Sequence, residues 1–470
     1  MTDQSKGLES QSLESKSFEP QTVSCPALFL SAPGSGDGKT TFTAALARYF
    51  KQQGKIVRIF KTGPDYLDPQ ILAQASGQDV EQLDLWMAGE EYCQQKLFEA
   101  AQAADLILVE GAMGMFDGDP SSADLAARFN IPVAILMDVK GMAQTAAALV
   151  TGMANFRDDV QVAGLIANSC GTERHAELIR NALPESLPLL ATLPRDPAVA
   201  LPERHLGLVQ AEEVREELEQ RFNAGVDWVA GNKITELPAP VEFHSAPVPT
   251  VEPLLKGKRI AVARDIAFSF IYDANLRLLQ DMGAEYQFFS PLNDSEIPAA
   301  DALWLPGGYP ELYAAQLGKN QLMQESIRAF HDSGKPTLAE CGGFLYCLET
   351  LTDLQEQQYP MLGLMGGHGA MRGKRGCQGM QTAVLPEGDI QAHAHHRSRS
   401  EGTAEPISYG RRQRHAAPGE AIFREAGLTA SYLHLFFPSN PAAIAAVFNG
   451  TFEKAEAGLF ESSLEKSKAG

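Results

Sequence analysis

The sequence predicts two consecutive α/β domains, each built on a largely parallel sheet with covered faces. Three observations predict this. Short apolar runs alternate with helical patterns in both halves, a glycine-rich loop joins the first run to the first helix, and a proline-rich seam separates the halves. A chain of 470 residues, 44% of them hydrophobic, carries enough apolar material for two cores.

The elements follow in order. "ALFLSAP" (27–33) reads as a strand, and "TTFTAALARYFKQQG" (40–54) as the helix behind it. "IVRIFKTG", "ADLILVEG", "VAILMDV" and "VAGLIANS" are four further runs of the buried-strand type. In "ELPAPVEFHSAPVPTVEPLLKG" (236–257) the prolines preclude regular structure and mark a linker. The rhythm then restarts with "RIAVARD", "AEYQFFS", "ALWLPGG" and "PTLAE" as strands and "IYDANLRLLQDMG" and "NQLMQESIRAFHDSG" as helices. The expected organisation is a disordered tail over 1–24, a first domain over 25–235, a linker over 236–256, a second domain over 257–450 and a tail over 451–470. Residues 360–415 carry no pattern that assigns them.

Charge and composition exclude several classes. With 39 basic and 59 acidic side chains, the net charge of −20 argues against general nucleic-acid or anionic-membrane binding. Six cysteines stand without CxxC pairs, so they read as reduced thiols of a cytoplasmic protein. No apolar stretch is long enough to span a membrane, and the Ser/Glu/Gln-rich N-terminus has no signal-peptide core.

"APGSGDGKTTFT" (32–43) lies between a strand and a helix, the context of a phosphate loop. Gly34, Ser35, Gly36 and Gly38 offer backbone N–H groups to phosphate oxygens, Lys39 reaches the outer phosphates, and Thr40, followed by Thr41, holds Mg²⁺. Pro33 stands where the motif has its first glycine. Acidic residues follow later strands: Asp65 and Asp68 in "KTGPDYLDP", then Glu110 and Asp117 in "VEGAMGMFDG". Strand ends converge on the crevice of such a sheet, and carboxylates facing a triphosphate require a cation between them. For any one of these acids the alternative is a helix cap. Lys61 is placed to neutralise a transferring phosphoryl group, and Asn168 to meet an adenine edge.

In "PTLAECGGFLYCL" an apolar strand is followed by Cys341, then Gly342 and Gly343 opening a helix. Such an elbow exposes a nucleophilic sulfur, whereas Cys347 reads as core.

These strings, with "LDLWM", "LPERHLGL", "IAVARDIAFSFIYDANL", "FFSPLND", "LPGGYPELYA" and "SYLHLFFPSNP", stand in the order seen in cobyrinic acid a,c-diamide synthases, which the chain resembles from about 26 to 447. The first half is also similar to dethiobiotin synthetase, a P-loop NTPase-like enzyme, and the second to class I glutamine amidotransferases. The resemblance implies a cytoplasmic carbon–nitrogen ligase of cobalamin biosynthesis that uses Mg-ATP and L-glutamine to amidate a corrinoid polycarboxylate. It implies ATP and phosphate contacts from the loop and metal contacts from Thr40, Asp65 and Glu110. Activation or corrinoid contacts would come from Lys61, Asp65, Tyr66, Leu67, Asp68 and Asp117. Arg195 and Arg204 are candidate partners of substrate carboxylates, or else surface salt-bridge residues.

The resemblance makes His434 the base for Cys341, where an isolated reading would bury it as core. Gly307, Gly308 and Gly342 become the oxyanion and glutamine site. The glutamate that class I enzymes carry two residues after their histidine is Phe436 here, which leaves the third member open. In "QAHAHHRSR" (391–399), His393, His395 and His396 point to a structural or interface role before a metal site. Alternatives within the chemistry are hydrogenobyrinate or Ni-sirohydrochlorin as substrate. A different class is a non-catalytic ATP-switch scaffold, disfavoured because Gly34 and Ser35 stand where its signature lysine would be. A homodimer is the default assembly.

Overall fold

A computed structural model describes residues 18–204, 207–208, 214–373 and 376–451. The first domain contains strands β1 (Thr22–Ser31), β2 (Val57–Thr62), β3 (Val80–Leu83), β4 (Leu106–Glu110), β5 (Val133–Asp138), β6 (Val162–Asn168) and β7 (Leu189–Leu193). Helix α1 (Lys39–Gln52) follows β1, and α2 (Leu67–Ser76) follows β2. The sheet order is β3-β2-β4-β1-β5-β6-β7, with parallel neighbours throughout. Alternate residues of β1 enter opposite cores: Phe29 packs with Ile107 and Val109 on one face, Leu28 and Leu30 with Phe42 and Ile59 on the other. Both faces are covered, which is why the strands read as continuous apolar runs rather than alternating ones.

Two boundaries differ from expectation. Pro240–His244, inside the expected linker, is a strand antiparallel to the start of β1, with Thr22 opposite His244 and Pro26 opposite Pro240. Its proline sits at the first position, which a strand tolerates, while Val241 and Phe243 point inward and Glu242 outward. Correspondingly, β1 begins at Thr22, within the expected tail. Residues 1–17 and 452–470 of the expected tails lie outside the described residues, as does the Arg204 side chain.

The second domain has a ten-stranded sheet. Its first five members, at 285–289, 259–263, 302–305, 337–340 and 428–431, run parallel. The sheet continues antiparallel through 418–425, 408–412, 378–385 and 388–395 to 433–435. The stretch without assignable pattern thus supplies three of the five antiparallel members, including the long pair Gln378–Leu385 and Gly388–His395. The domains meet through Met87, Tyr272, Ala274 and Phe436, and through an ion pair between Arg277 and Glu81 at 2.5 Å. On the opposite rim Gln413 Nε2 donates to the Asp119 carbonyl at 2.8 Å.

Candidate active site

The ends of β1, β2 and β4 deliver the expected groups to one place. Gly36 and Gly38 adopt φ of +92° and +98°, which lets the loop curl before α1. Lys39 Nζ donates to the carbonyls of Gly34 and Met113, both at 2.8 Å. Burial, reinforced by the nearby Lys61 charge, lowers the Lys39 pKa. Thr40 Oγ1 donates to Glu110 Oε1 at 2.9 Å and to Asp68 Oδ2 at 3.2 Å. Lys61 Nζ bridges the same two acids, 2.8 Å from Glu110 and 2.9 Å from Asp68. Burial works against the Lys61 charge, but Glu110 and Asp68 outweigh it and raise its pKa. Burial likewise works against the Asp68 charge, and Lys61 outweighs it, so Asp68 stays below the usual carboxylate range.

Asp65 Oδ1 accepts from the N–H groups of Leu67 and Asp68, so it holds the start of α2 as well as facing the crevice. Burial, with Asp68 beside it, raises its pKa to about 7. Asn168, expected to meet an adenine edge, stands beside the phosphate loop. Its amide donates to the Asp37 carbonyl at 2.8 Å and its oxygen accepts from Ser169 N–H at 2.8 Å. Asp117 is exposed at the rim, where Gly114 leaves room for its carboxylate. Arg195 is exposed and stands outside the cavity lining.

The second group forms on the other domain. Cys341 follows the strand Thr337–Glu340 with φ +45° and ψ −99°, the strained elbow that turns a nucleophile out of a sheet. Its N–H bonds the Ser431 carbonyl at 2.8 Å, three residues before His434. Glycines are obligatory around it: a Cβ on Gly307 would lie 2.2 Å from His434 Cε1, and one on Gly342 would lie 2.8 Å from Gly308 N. The latter approach puts the Gly308 N–H beside the nucleophile turn, as an oxyanion donor requires.

His434 is buried with no hydrogen-bond partner at either ring nitrogen, and burial, with His395 and His396 nearby, lowers its pKa to about 3. Burial raises the Cys341 thiol, and the carboxylate of Glu311 raises it further. The resting pair is therefore neutral thiol and neutral imidazole. Cys347 is fully buried in the core, as expected.

Sequence reasoning missed Glu340. This residue precedes the nucleophile, and its oxygens accept from Leu435 N–H at 2.7 Å and Trp304 Nε1 at 2.8 Å. It ties the nucleophile strand to the strand bearing His434, and burial raises its pKa to about 8. The three histidines of the cluster line the same chamber as His434. His396 stacks on Tyr432 with ring centres 3.9 Å apart and pairs with Glu420 at 3.3 Å, while His393 lies opposite His434 in the sheet. Among the described residues, no group of three or more His, Cys, Asp or Glu is arranged to hold a metal ion.

Both groups open onto one cavity of about 1040 Å³, lined from Lys39 and Thr40 through Asp65 and Asp68 to Cys341 and His434. Ordinary ligand pockets run to roughly 300–1,000 Å³, so this space is suited to more than one substrate. Tyr66 sits at the junction. It belongs to the loop before α2, yet its ring lies 4.9 Å from His434, 5.1 Å from Phe270 and 4.6 Å from Tyr272, centre to centre. Leu67 follows it, buried, and also lines the cavity.

A phosphate loop and a cysteine elbow sharing one chamber define the class: a nucleotide-using, glutamine-dependent amidotransferase. Residues 28–209 match the CobQ/CobB/MinD/ParA nucleotide binding domain, and residues 259–442 the CobB/CobQ-like glutamine amidotransferase domain. The chain is 51% identical over 423 residues to the hydrogenobyrinate a,c-diamide synthase of Stutzerimonas stutzeri, covering 90% of this chain and 98% of that one. It is 49% identical to the protein of the same name from Pseudomonas aeruginosa, covering 90% and 97%. It is 46% identical to the cobyrinate a,c-diamide synthase of Herminiimonas arsenicoxydans, covering 91% and 98%. The chain belongs to the a,c-diamide synthase family.

Proposed function

We propose that this enzyme amidates the a- and c-carboxylates of cobyrinate, using ATP to activate each carboxylate as an acyl phosphate and glutamine as the nitrogen donor. The carrying observation is the single chamber that joins the phosphate loop to Cys341. A carboxylate cannot expel oxide to ammonia, so phosphorylation supplies the leaving group, and the protein's task there is positioning and charge neutralisation. Lys39 would shift from the Gly34 and Met113 carbonyls onto phosphate oxygens, and Lys61 would face the transferring group.

Mg²⁺ fits this donor set. Glu110 Oε2 is buried without a partner, and Thr40 Oγ1 lies beside it on the phosphate-loop helix. A hydrated Mg²⁺ needs only one or two protein ligands in addition to phosphate oxygens, so a cage of three acids is not required. The ion, when bound, neutralises charge between the ATP phosphates and these acids, with Asp65 and Asp68 holding the loop that faces the substrate carboxylate. At the other end Cys341 attacks the glutamine carboxamide, His434 takes the thiol proton and passes it to the departing ammonia, and water releases glutamate from the thioester. Ammonia then enters the chamber where the acyl phosphate forms, without crossing bulk water that would protonate it.

A second reading keeps all of this and changes the macrocycle to hydrogenobyrinate. It is favoured by the names of the relatives at 51% and 49% identity. Mass spectrometry of products from cobyrinate and hydrogenobyrinate, offered separately with Mg-ATP and glutamine, decides. Two successive acid-to-amide mass changes identify the substrate, and no change on either macrocycle refutes the function.

A further inference from the structure

Among the charged residues that line the chamber containing Cys341, Glu311 and Arg397 have no role in the steps above. Glu311 lies in the short helix Pro310–Tyr313 directly after the Gly307–Gly308 turn. A Cβ on Gly342 would come 2.9 Å from Pro310 Cδ, so that helix begins against the nucleophile elbow. No charged group offsets the burial of the Glu311 carboxyl, whose pKa rises to about 7. It is also the charge that most opposes ionisation of Cys341. Arg397 is half-buried and, among the described residues, has no ion-pair partner. Tyr309, which also lines the chamber, is acted on by the charges of both Glu311 and Arg397.

An uncompensated carboxylate next to a thiol that must become an anion is unfavourable on both counts, unless a cation arrives with the substrate. Free glutamine brings one ammonium and one carboxylate on the same carbon. We propose that Glu311 and Arg397 recognise glutamine at its α-carbon, Glu311 receiving the ammonium and Arg397 the carboxylate, with the carboxamide directed to Cys341. The assignment rests on the glutaminase reading of Cys341. Its consequence is substrate-gated reactivity: burial is the larger influence keeping the thiol protonated, and the ammonium, by neutralising Glu311, removes the largest charge that adds to it.

The test uses the full chain and three amides: glutamine, glutaramate (no α-ammonium) and 4-aminobutanamide (no α-carboxylate). Wild type is expected to favour glutamine over each analogue by about 100-fold in kcat/KM, the scale for an unpaired buried charge. Glu311→Gln collapses discrimination against glutaramate to within about fivefold and keeps it against 4-aminobutanamide. Arg397→Gln does the reverse. Amidation driven by ammonium chloride, retained in both variants, shows that the fold is intact. In either case Glu311→Gln also speeds alkylation of Cys341 by iodoacetamide. Full discrimination in both variants, or unchanged alkylation in Glu311→Gln, overturns the assignment while leaving the glutaminase reading standing. A wild type that hydrolyses no glutamine overturns both.

Discussion

The two ends of the chamber solve opposite electrostatic problems. At the phosphate loop the central charges are paired or capped: Lys61 bridges Asp68 and Glu110, Thr40 bonds both acids, and Lys39 caps two carbonyls. At the elbow almost nothing is paired, with both nitrogens of His434 orphaned. The first site holds itself in place with contacts that a ligand exchanges. The second keeps its thiol and imidazole neutral, while the Glu311 carboxylate and the Arg397 guanidinium stand in its lining without a counter-charge. A charged site is held by internal pairing, while a nucleophilic site is held by keeping its groups neutral.

Separate nitrogen sources break the comparison most sharply. Cys341→Ala should abolish glutamine-dependent amidation, a loss of at least about 10³-fold, while amidation from ammonium chloride persists. Lys39→Ala should lose about 10²- to 10³-fold with either nitrogen source, because the phosphoryl group is common to both. Parallel assays with the two donors check both outcomes, and a Cys341→Ala enzyme still releasing glutamate would remove the thiol from the mechanism.

Gly307→Ala is the next largest effect. Its Cβ falls 2.2 Å from the imidazole, against a rigid ring rather than a flexible chain end. Glutaminase activity should drop about 100-fold with ammonia-driven amidation spared, since misplacing a catalytic group by about 1 Å is enough. Equal loss with both donors would show that the turn supports the whole chamber.

Glu340→Gln gives the smallest and most specific effect, on stability against pH. The folded carboxyl keeps its proton to about pH 8, whereas the unfolded one releases it near its ordinary value of 4.5. Over that window the unfolded state binds fewer protons, so stability falls as pH rises, by up to about 1.4 kcal/mol per pH unit. Glu311 and Asp65, each raised to about 7, act in the same direction and remain in the variant. Melting curves from about pH 5 to about pH 8 should therefore show a shallower decline for Glu340→Gln than for wild type. Parallel declines would place the Glu340 proton elsewhere.

The same contrast explains what was legible in the sequence. The phosphate loop, Lys61, Glu110 and the Asp65–Asp68 pair sit at ends of apolar strands, so local pattern alone brings them together. Cys341 was legible through its two glycines, which the elbow needs for close approach to Leu305 and Gly308. His434 was reached only through resemblance, because a histidine in an apolar strand carries no local mark. Glu340, Glu311 and Arg397 were missed because their roles depend on what lies across the domain interface or on the neighbouring strand. Asn168 has an amide whose type fits a base edge, and its contact to a loop 131 residues earlier left no local mark in the sequence. The antiparallel strands over 378–412 escaped because their faces mix chamber lining with core, which erases the period-two alternation.

The strand Pro240–His244 carries a consequence for how the chain is made. Its partner is the start of β1, so the first and last pieces of the nucleotide-binding sheet emerge from the ribosome 222 residues apart, as Thr22 and His244. A chain cut at 235, where composition changes, would leave Cys25 and the inner face of β1 without Val241 and Phe243. Synthesis therefore finishes the first sheet only as the second domain is about to begin, and the segment left between them is too short for either to fold far from the other.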